Sequence, residues 1–133
     1  LVENDNIVIA VGGGGIPVVE DDGELKGIAA VIDKDLASEK LAEDIDADIL
    51  MILTQVEKVA LNFGKSNQIE LDRVNTKDMR KHIEEGHFAA GSMLPKVLAG
   101  IRFVESRMGR KTIITSLNMA KEALKGINGT IIE

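Results

Sequence analysis

The sequence predicts an α/β sandwich with a mainly parallel sheet. Two observations carry that prediction. Short β-branched apolar runs alternate along the chain with segments of helical period. Several of those runs end in glycine, threonine or serine, as buried strands do where they hand over to a loop. The length, 133 residues, matches a single domain of roughly 100–200 residues. With 44% hydrophobic and 29% charged residues, the chain has the composition of a globular protein that buries a core.

The first strand is expected at Ile7 to Val11 (IVIAV), a continuous apolar run that stops at Gly12-Gly13-Gly14-Gly15. Val18-Val19 and the run from Leu25 to Val31 flank Asp21-Asp22-Gly23, where the Asp-Gly pair predicts a turn between two extended arms. Asp35 to Asp44 reads as a helix, with Ala37, Leu41 and Ile45 four residues apart and Asp35 at the N-cap. A second buried strand covers 48–53 and ends at Thr54, and a polar, irregular stretch runs from Asn62 to Asp72. Thr76 to Glu85 is a helix capped by Thr76 and stopped by Gly86. Ser92 to Met108 is the longest helix, with an apolar stripe of Met93, Val97, Ile101, Val104 and Met108 and with Pro95 in its first turn. A strand at Lys111 to Thr115, a helix at Asn118 to Leu124 and a strand at Gly129 to Ile132 complete the series.

Composition removes several function classes. The net charge of −6, from 16 basic and 22 acidic groups, argues against a nucleic-acid partner. No cysteine is present, which removes disulfides, iron–sulfur clusters and cysteine nucleophiles. Two histidines without cysteine argue against a structural zinc site. Tryptophan and tyrosine are absent, so base-stacking platforms are not expected either. No apolar run approaches the ~18 residues needed to span a bilayer, so no membrane partner is expected and the chain reads as cytoplasmic. The first residue is Leu1 and not methionine, as in a piece of something longer.

In a parallel sheet, ligands bind beyond the carboxyl ends of the strands. The glycine run, Thr54 and Ser116 all fall there. Four glycines let backbone N–H groups converge on an anion, or simply form a tight turn. Pro17 stands where a dinucleotide-binding fingerprint needs its third glycine. Gly64-Lys65-Ser66 is not a P-loop, because Val59 occupies the position of the first glycine. Lys34 offers a charge to a phosphate; Asp35 serves as a cap, as an organiser of cations, or as both. Ser92 and Met93 open the long helix, whose free N–H groups favour phosphate. Lys96 lies within the first turn or so and off the stripe, as a further charge or as a surface lysine. His82 and His87 are five apart and straddle Gly86, which is not the i, i+4 spacing of a helical metal pair; they read as surface or loop residues, and no protein metal ligand set is expected. Glycine N–H groups, two lysines and an aspartate suit phosphoryl transfer, where catalysis is positioning and charge neutralisation. They do not suit acyl transfer, which needs an activated nucleophile and a base.

Three ordered motifs carry a resemblance. Gly12-Gly13-Gly14-Gly15-Ile16-Pro17-Val18, Val31-Ile32-Asp33-Lys34-Asp35-Leu36-Ala37-Ser38 and Glu85-Gly86-His87-Phe88-Ala89-Ala90-Gly91-Ser92-Met93-Leu94-Pro95-Lys96-Val97 resemble the carbamate kinases, of the amino acid kinase family. Ile113 to Leu117 and Gly129-Thr130 also fit, so the likeness runs from about residue 7 to the end. It implies a three-layer α/β/α sandwich and a reversible phosphoryl transfer between ATP and carbamate, giving carbamoyl phosphate and ADP, as in arginine fermentation. It implies Lys34, Asp35 and Lys96 as catalytic residues. It places Gly12, Gly13, Gly14 and Gly15 near the carbamate end. Thr54, Val56, Ser92, Met93 and Lys96 fall at the nucleotide, which carries its own Mg2+. The family pattern differs at Gln55, Ala90, Leu98 and Gly100, where aspartate, proline, glutamate and alanine are expected. Gly100 inside a helix is expected to cost on the order of 1 kcal/mol against alanine. The resemblance makes residues 1–133 a single domain, the C-terminal ATP-binding part of an enzyme about twice as long. The N-terminal half would bring a further phosphate loop, a further lysine and much of a homodimer surface.

Overall fold

The structure, a computed structural model, describes residues 1–10, 12–13 and 15–133. In chain order its elements are β1 (Val18–Asp21), β2 (Glu24–Gly27), α1 (Lys34–Asp44), β3 (Ile49–Thr54), β4 (Ala60–Leu61), β5 (Ile69–Glu70), β6 (Arg73–Val74), α2 (Thr76–Glu84), α3 (Met93–Ser106), β7 (Lys111–Ser116), α4 (Ala120–Leu124) and β8 (Thr130–Ile132). Single 3-10 turns occupy Val2–Asn4 and Leu117–Met119.

The main sheet has the order β3-β7-β8-β6. β3 runs parallel to β7 with Ile49 beside Lys111 and Thr54 beside Ser116; β6 is parallel to β8, and β8 is antiparallel to β7. Alternation along the strands builds the layers. Leu50, Ile52, Ile114 and Ile132 face a core shared with Val97, Ile101 and Phe103 of α3, and α1 and α2 pack on the same helix. Met51, Ile113 and Ile131 face the other way, against Ala123 of α4. Helices thus cover both sides of a mainly parallel sheet, the three-layer α/β/α arrangement.

Helix α3 follows from its sequence. Pro95 is its third residue, where no intrahelical N–H bond is lost. Val97, Ile101 and Phe103 reach the core with no exposed surface, whereas Met108 lies beyond the helix and is almost fully exposed, so the expected stripe ends at Val104. Gly100 lets the helix sit directly on the sheet: a Cβ there would stand 2.9 Å from Thr112 Cγ2 and 3.0 Å from Ile132 Cδ1. The Thr112 hydroxyl donates to the Gly100 carbonyl at 3.1 Å, locking that approach.

Two caps are corrected. Asp33, not Asp35, caps α1: its Oδ1 accepts from the N–H groups of Asp35 (2.8 Å) and Leu36 (3.3 Å). Asn75, not Thr76, caps α2 by accepting from the Asp78 N–H at 2.8 Å. In each case the cap precedes the first helical residue, as its extended backbone requires. Asp22 (φ 51°) and Gly23 (φ 78°) form the expected β1–β2 turn, both left-handed as a two-residue hairpin demands.

The expected strand at Ile7 to Val11 is not formed over its described residues. Ile7 and Ile9 are almost fully exposed, and no described strand pairs with them; Val11 lies outside the described residues. A run that apolar becomes a strand only with a ladder partner and cover on its faces. Likewise 62–72 is not wholly irregular, since β4 and β5 pair as a short antiparallel hairpin (Ala60 with Glu70, Leu61 with Ile69). No helix among the described residues is long and apolar enough to cross a membrane.

Candidate active site

Capping by Asp33 leaves the Asp35 carboxylate free, and it turns toward α3. Lys96, one turn into α3, donates from Nζ to Asp35 Oδ2 at 2.7 Å. Both side chains are nearly out of solvent, at 13% and 12% exposure, so this is a largely buried, charge-assisted bond between two helices. Lys34 Nζ lies 3.9 Å from the same oxygen, with its side chain 68% exposed. The structure therefore brings Lys34, Asp35 and Lys96 together: two ammonium groups flank one carboxylate, leaving a net positive charge beside the start of α3.

A cavity of about 470 Å3 opens at the carboxyl end of β3. Thr54, Gln55 and Val56 form one wall, where β3 hands over to its loop. Asn62, Phe63 and Lys65, at the tip of the β4–β5 hairpin, form a second. Ser92 and Met93, at the start of α3, close it on a third side. The expected nucleotide contacts Thr54, Val56, Ser92 and Met93 are thus gathered around one space. Lys96 is on the same helix, one turn beyond Ser92. Ser92 occupies the N-cap position but makes no capping bond, so its hydroxyl is uncommitted at the mouth of the helix. The volume falls within the range of small-molecule sites. Apolar groups (Val56, Phe63, Met93) and donors (Lys65, Ser92, Thr54) share the lining, a set that fits a molecule with one apolar and one anionic end.

The glycine loop stands apart from this arrangement. Gly12, Gly13 and Gly15 are exposed, and a Cβ at any of them would meet nothing within 4 Å; Gly14 lies outside the described residues. Among the described residues no hydrogen bond or ion pair ties the loop to Lys34, Asp35 or Lys96.

Sequence reasoning missed Lys65, Asn62, Phe63 and His87, all of which line the cavity. Gly64-Lys65-Ser66 was the available signal: it fails as a P-loop, yet Gly64, left-handed at φ 77°, turns the hairpin so that Lys65 faces the space. The hairpin is pinned by Gln68, whose side chain accepts from the Gly64 N–H at 2.9 Å, and by His87, whose Nδ1 accepts from the Asn62 N–H at 3.4 Å. One turn beyond Asp35 on α1, Glu39 is buried with Oε1 unpaired. Burial first, then the neighbouring Glu43, pushes its carboxyl up to about 7.

A profile of the amino acid kinase family matches residues 1–116. The chain is 58% identical over 132 residues to the carbamate kinase-like protein YqeA of Escherichia coli, covering 99% of this chain and 43% of that one. It is 57% identical over 130 residues to the carbamate kinase of Thermococcus kodakarensis, covering 98% of this chain and 41% of that one. The solved carbamate kinase from Giardia lamblia bound to AMP-PNP superposes with a TM-score of 0.91 at 43% identity, over 98% of this chain and 46% of that one. The chain thus spans about two-fifths of the length of the curated relatives it matches. Superposition and sequence agree, and the chain belongs to the amino acid kinase family.

Proposed function

We propose that this chain is the ATP-binding part of an enzyme that moves a phosphoryl group reversibly between ATP and carbamate, the C-terminal portion of a carbamate kinase acting late in arginine breakdown. The observation that carries the reading is the Lys34–Asp35–Lys96 cluster, which joins the start of α1 to the first turn of α3, the helix whose Ser92 and Met93 line a cavity with an apolar and a cationic side. Its barrier is repulsion between anions, and lysines act on that barrier directly. Asp35 holds the Lys96 ammonium in one orientation and uses one of its three N–H donors, so two remain for phosphoryl oxygens. Lys34, more exposed, adds a second charge on the open side. Thr54, Val56, Phe63 and Met93 would hold the base end of a nucleotide, and Ser92, Lys65 and the first turn of α3 the phosphate end. ATP with its Mg2+, when bound, supplies the phosphoryl group. Carbamate is already a nucleophile, so no strong base is required. The glycine loop would serve the carbamate end, and the complete enzyme would be a cytoplasmic homodimer.

The test is a coupled assay of ATP formation from ADP and carbamoyl phosphate, on the 133-residue chain alone and on a chain of the relatives' full length. Turnover is expected only in the longer one. In it, Lys96→Ala should lower kcat by about 10²-fold or more, the scale for losing one transition-state charge partner. Full-rate turnover by the short chain would overturn the idea that half the site is elsewhere, and a loss below about threefold would remove Lys96 from the chemistry. A second reading, a non-catalytic nucleotide-binding module, is favoured by the cavity itself, which Thr54, Val56, Ser92 and Met93 line and none of Lys34, Asp35 and Lys96 does. AMP-PNP binding without turnover in either chain would select it.

A further inference from the structure

Both histidines of this chain meet at one place outside the charged cluster. Helix α2 ends in a Schellman motif: the Gly86 N–H donates to the Ile83 carbonyl at 3.0 Å and the His87 N–H to the His82 carbonyl at 3.2 Å, with Gly86 left-handed at φ 76°. That motif normally brings an apolar pair together across the helix end. Here it brings two imidazoles, with Glu85 between them. Glu85 Oε2 lies 3.2 Å from His82 Nδ1 and 3.4 Å from His87 Nε2. The imidazole rings meet edge to face with centroids 5.8 Å apart, and one ligand atom from each of the three residues lies within 4.8 Å of the others.

From this geometry we infer that His82, Glu85 and His87 form a binding site for a divalent transition-metal ion of the Zn2+ type, at the rim of the cavity that His87 lines. Four ligands at about 2.0–2.1 Å in a tetrahedron stand about 3.3 Å from one another. The two carboxylate–imidazole separations already have that value, so only the imidazole–imidazole edge must close. Both imidazoles are partly buried and Glu85 is partly exposed, which leaves a face open for water as the fourth ligand. Lys81 Nζ stands 3.7 Å from the other oxygen, Oε1, and does not occupy Oε2. Two imidazoles and one carboxylate select zinc, nickel, cobalt or copper over magnesium, which prefers oxygen ligands and keeps its waters. The site is therefore distinct in chemistry from any magnesium carried by a nucleotide.

Its occupancy is coupled to the cavity wall. His87 Nδ1 now accepts from the Asn62 N–H, which places the ring proton on Nε2. A cation on Nε2 moves that proton to Nδ1, where it opposes the Asn62 N–H and opens the bond. The hairpin tip that carries Asn62, Phe63 and Lys65 then loses its hydrogen bond to the residue that follows the Gly86 stop.

The test titrates the purified chain with Co2+ and Zn2+, without nucleotide, so that its outcome is independent of the activity proposed above. One saturable ion per chain is expected, with the visible absorption of a four-coordinate Co2+ displaced by Zn2+ and unaffected by Mg2+. His82→Ala and His87→Ala should each weaken binding by more than tenfold. The chain has only two imidazoles, so their NMR signals report the same event in the unaltered protein, whether or not the variants fold. Both should shift with the binding midpoint, and the Asn62 amide signal with them. Absence of a saturable component, or binding that leaves either imidazole signal unmoved, overturns the site; an unmoved Asn62 amide overturns the coupling.

Discussion

Substituting Gly100 by alanine sets two known effects against each other. Alanine in a helix interior is favoured over glycine by about 1 kcal/mol. At this position, however, the new methyl group would stand 2.9 Å from Thr112 Cγ2, 3.0 Å from Ile132 Cδ1 and 3.3 Å from Thr112 Cβ. Carbon atoms prefer about 3.5–4.0 Å, so two contacts must open by roughly half an ångström or more. Ile132 can yield at the end of its side chain. Thr112 cannot: it is β-branched, fully buried and tied by its hydroxyl to the Gly100 carbonyl. The helix must therefore lift from the sheet, and overpacking of this kind costs about 1–3 kcal/mol. Three contacts this short, two of them on a side chain that cannot yield, put the cost in the upper half of that range, at about 2–3 kcal/mol, so Gly100→Ala should lose about 1–2 kcal/mol net. Urea unfolding followed by circular dichroism measures it, with an accompanying fall in Tm of about 3–5 °C per kcal/mol. Thr112→Ser keeps the hydroxyl and removes Cγ2, so on that background the alanine should cost less by about 0.5 kcal/mol or more. A Gly100→Ala chain as stable as its parent would refute the reasoning, because propensity would then have outweighed contact.

Two more predictions concern charge. Glu39 holds a proton at about 7 in the folded chain but releases it near its ordinary value of 4.5 when unfolded, with burial as the leading cause. The stability it contributes is thus full below about pH 4.5 and lost as pH rises through about 7. Glu39→Gln, which cannot ionise, should flatten that decline by up to about 3 kcal/mol between pH 5 and pH 8. Parallel pH profiles in urea titrations of the two chains would contradict this. Asp35→Asn removes the charge that faces Lys96 at 2.7 Å in a largely buried pair, and should cost about 1–3 kcal/mol. The loss should change little between low and high salt, since a buried pair is weakly screened; a cost below about 0.5 kcal/mol would show the pair to be incidental.

What the sequence made legible was whatever is decided locally. The strand ending at Thr54, the helix opening at Ser92-Met93 with Pro95 in its first turn, and the stop at Gly86 each rest on neighbours in the chain, and each is found within a residue or two. Thr54 at a strand end and Ser92-Met93 at a helix start are legible positions as well, because both face one edge of a parallel sheet, whereas Val56 comes from the family resemblance alone. Where the answer depended on distant partners, the reading failed. IVIAV states a preference for burial but not whether anything lies beside it. Asp33 and Asp35 are both good caps by type, and only backbone geometry decides that Asp33 takes the role and frees Asp35 for Lys96. The two histidines read as surface or loop residues, whereas the reversal at Gly86 folds His87 back on His82 and leaves both partly buried. Gly64-Lys65-Ser66 fails as a P-loop, yet the hairpin delivers Lys65 to the cavity all the same.

The contact between Lys96 and Asp35 joins positions 61 apart in the chain. The β3–β7 ladder, with Ile49 beside Lys111, closes a loop of similar size. Contacts of such high sequence separation are slow to form, because the entropy of closure is spent before any of them stabilises the chain. Neither helix can acquire the charged cluster early, and no isolated segment can rehearse it. The carboxylate and the ammonium meet only when α1 and α3 have packed on each other over the same face of the sheet, so the site forms together with the fold.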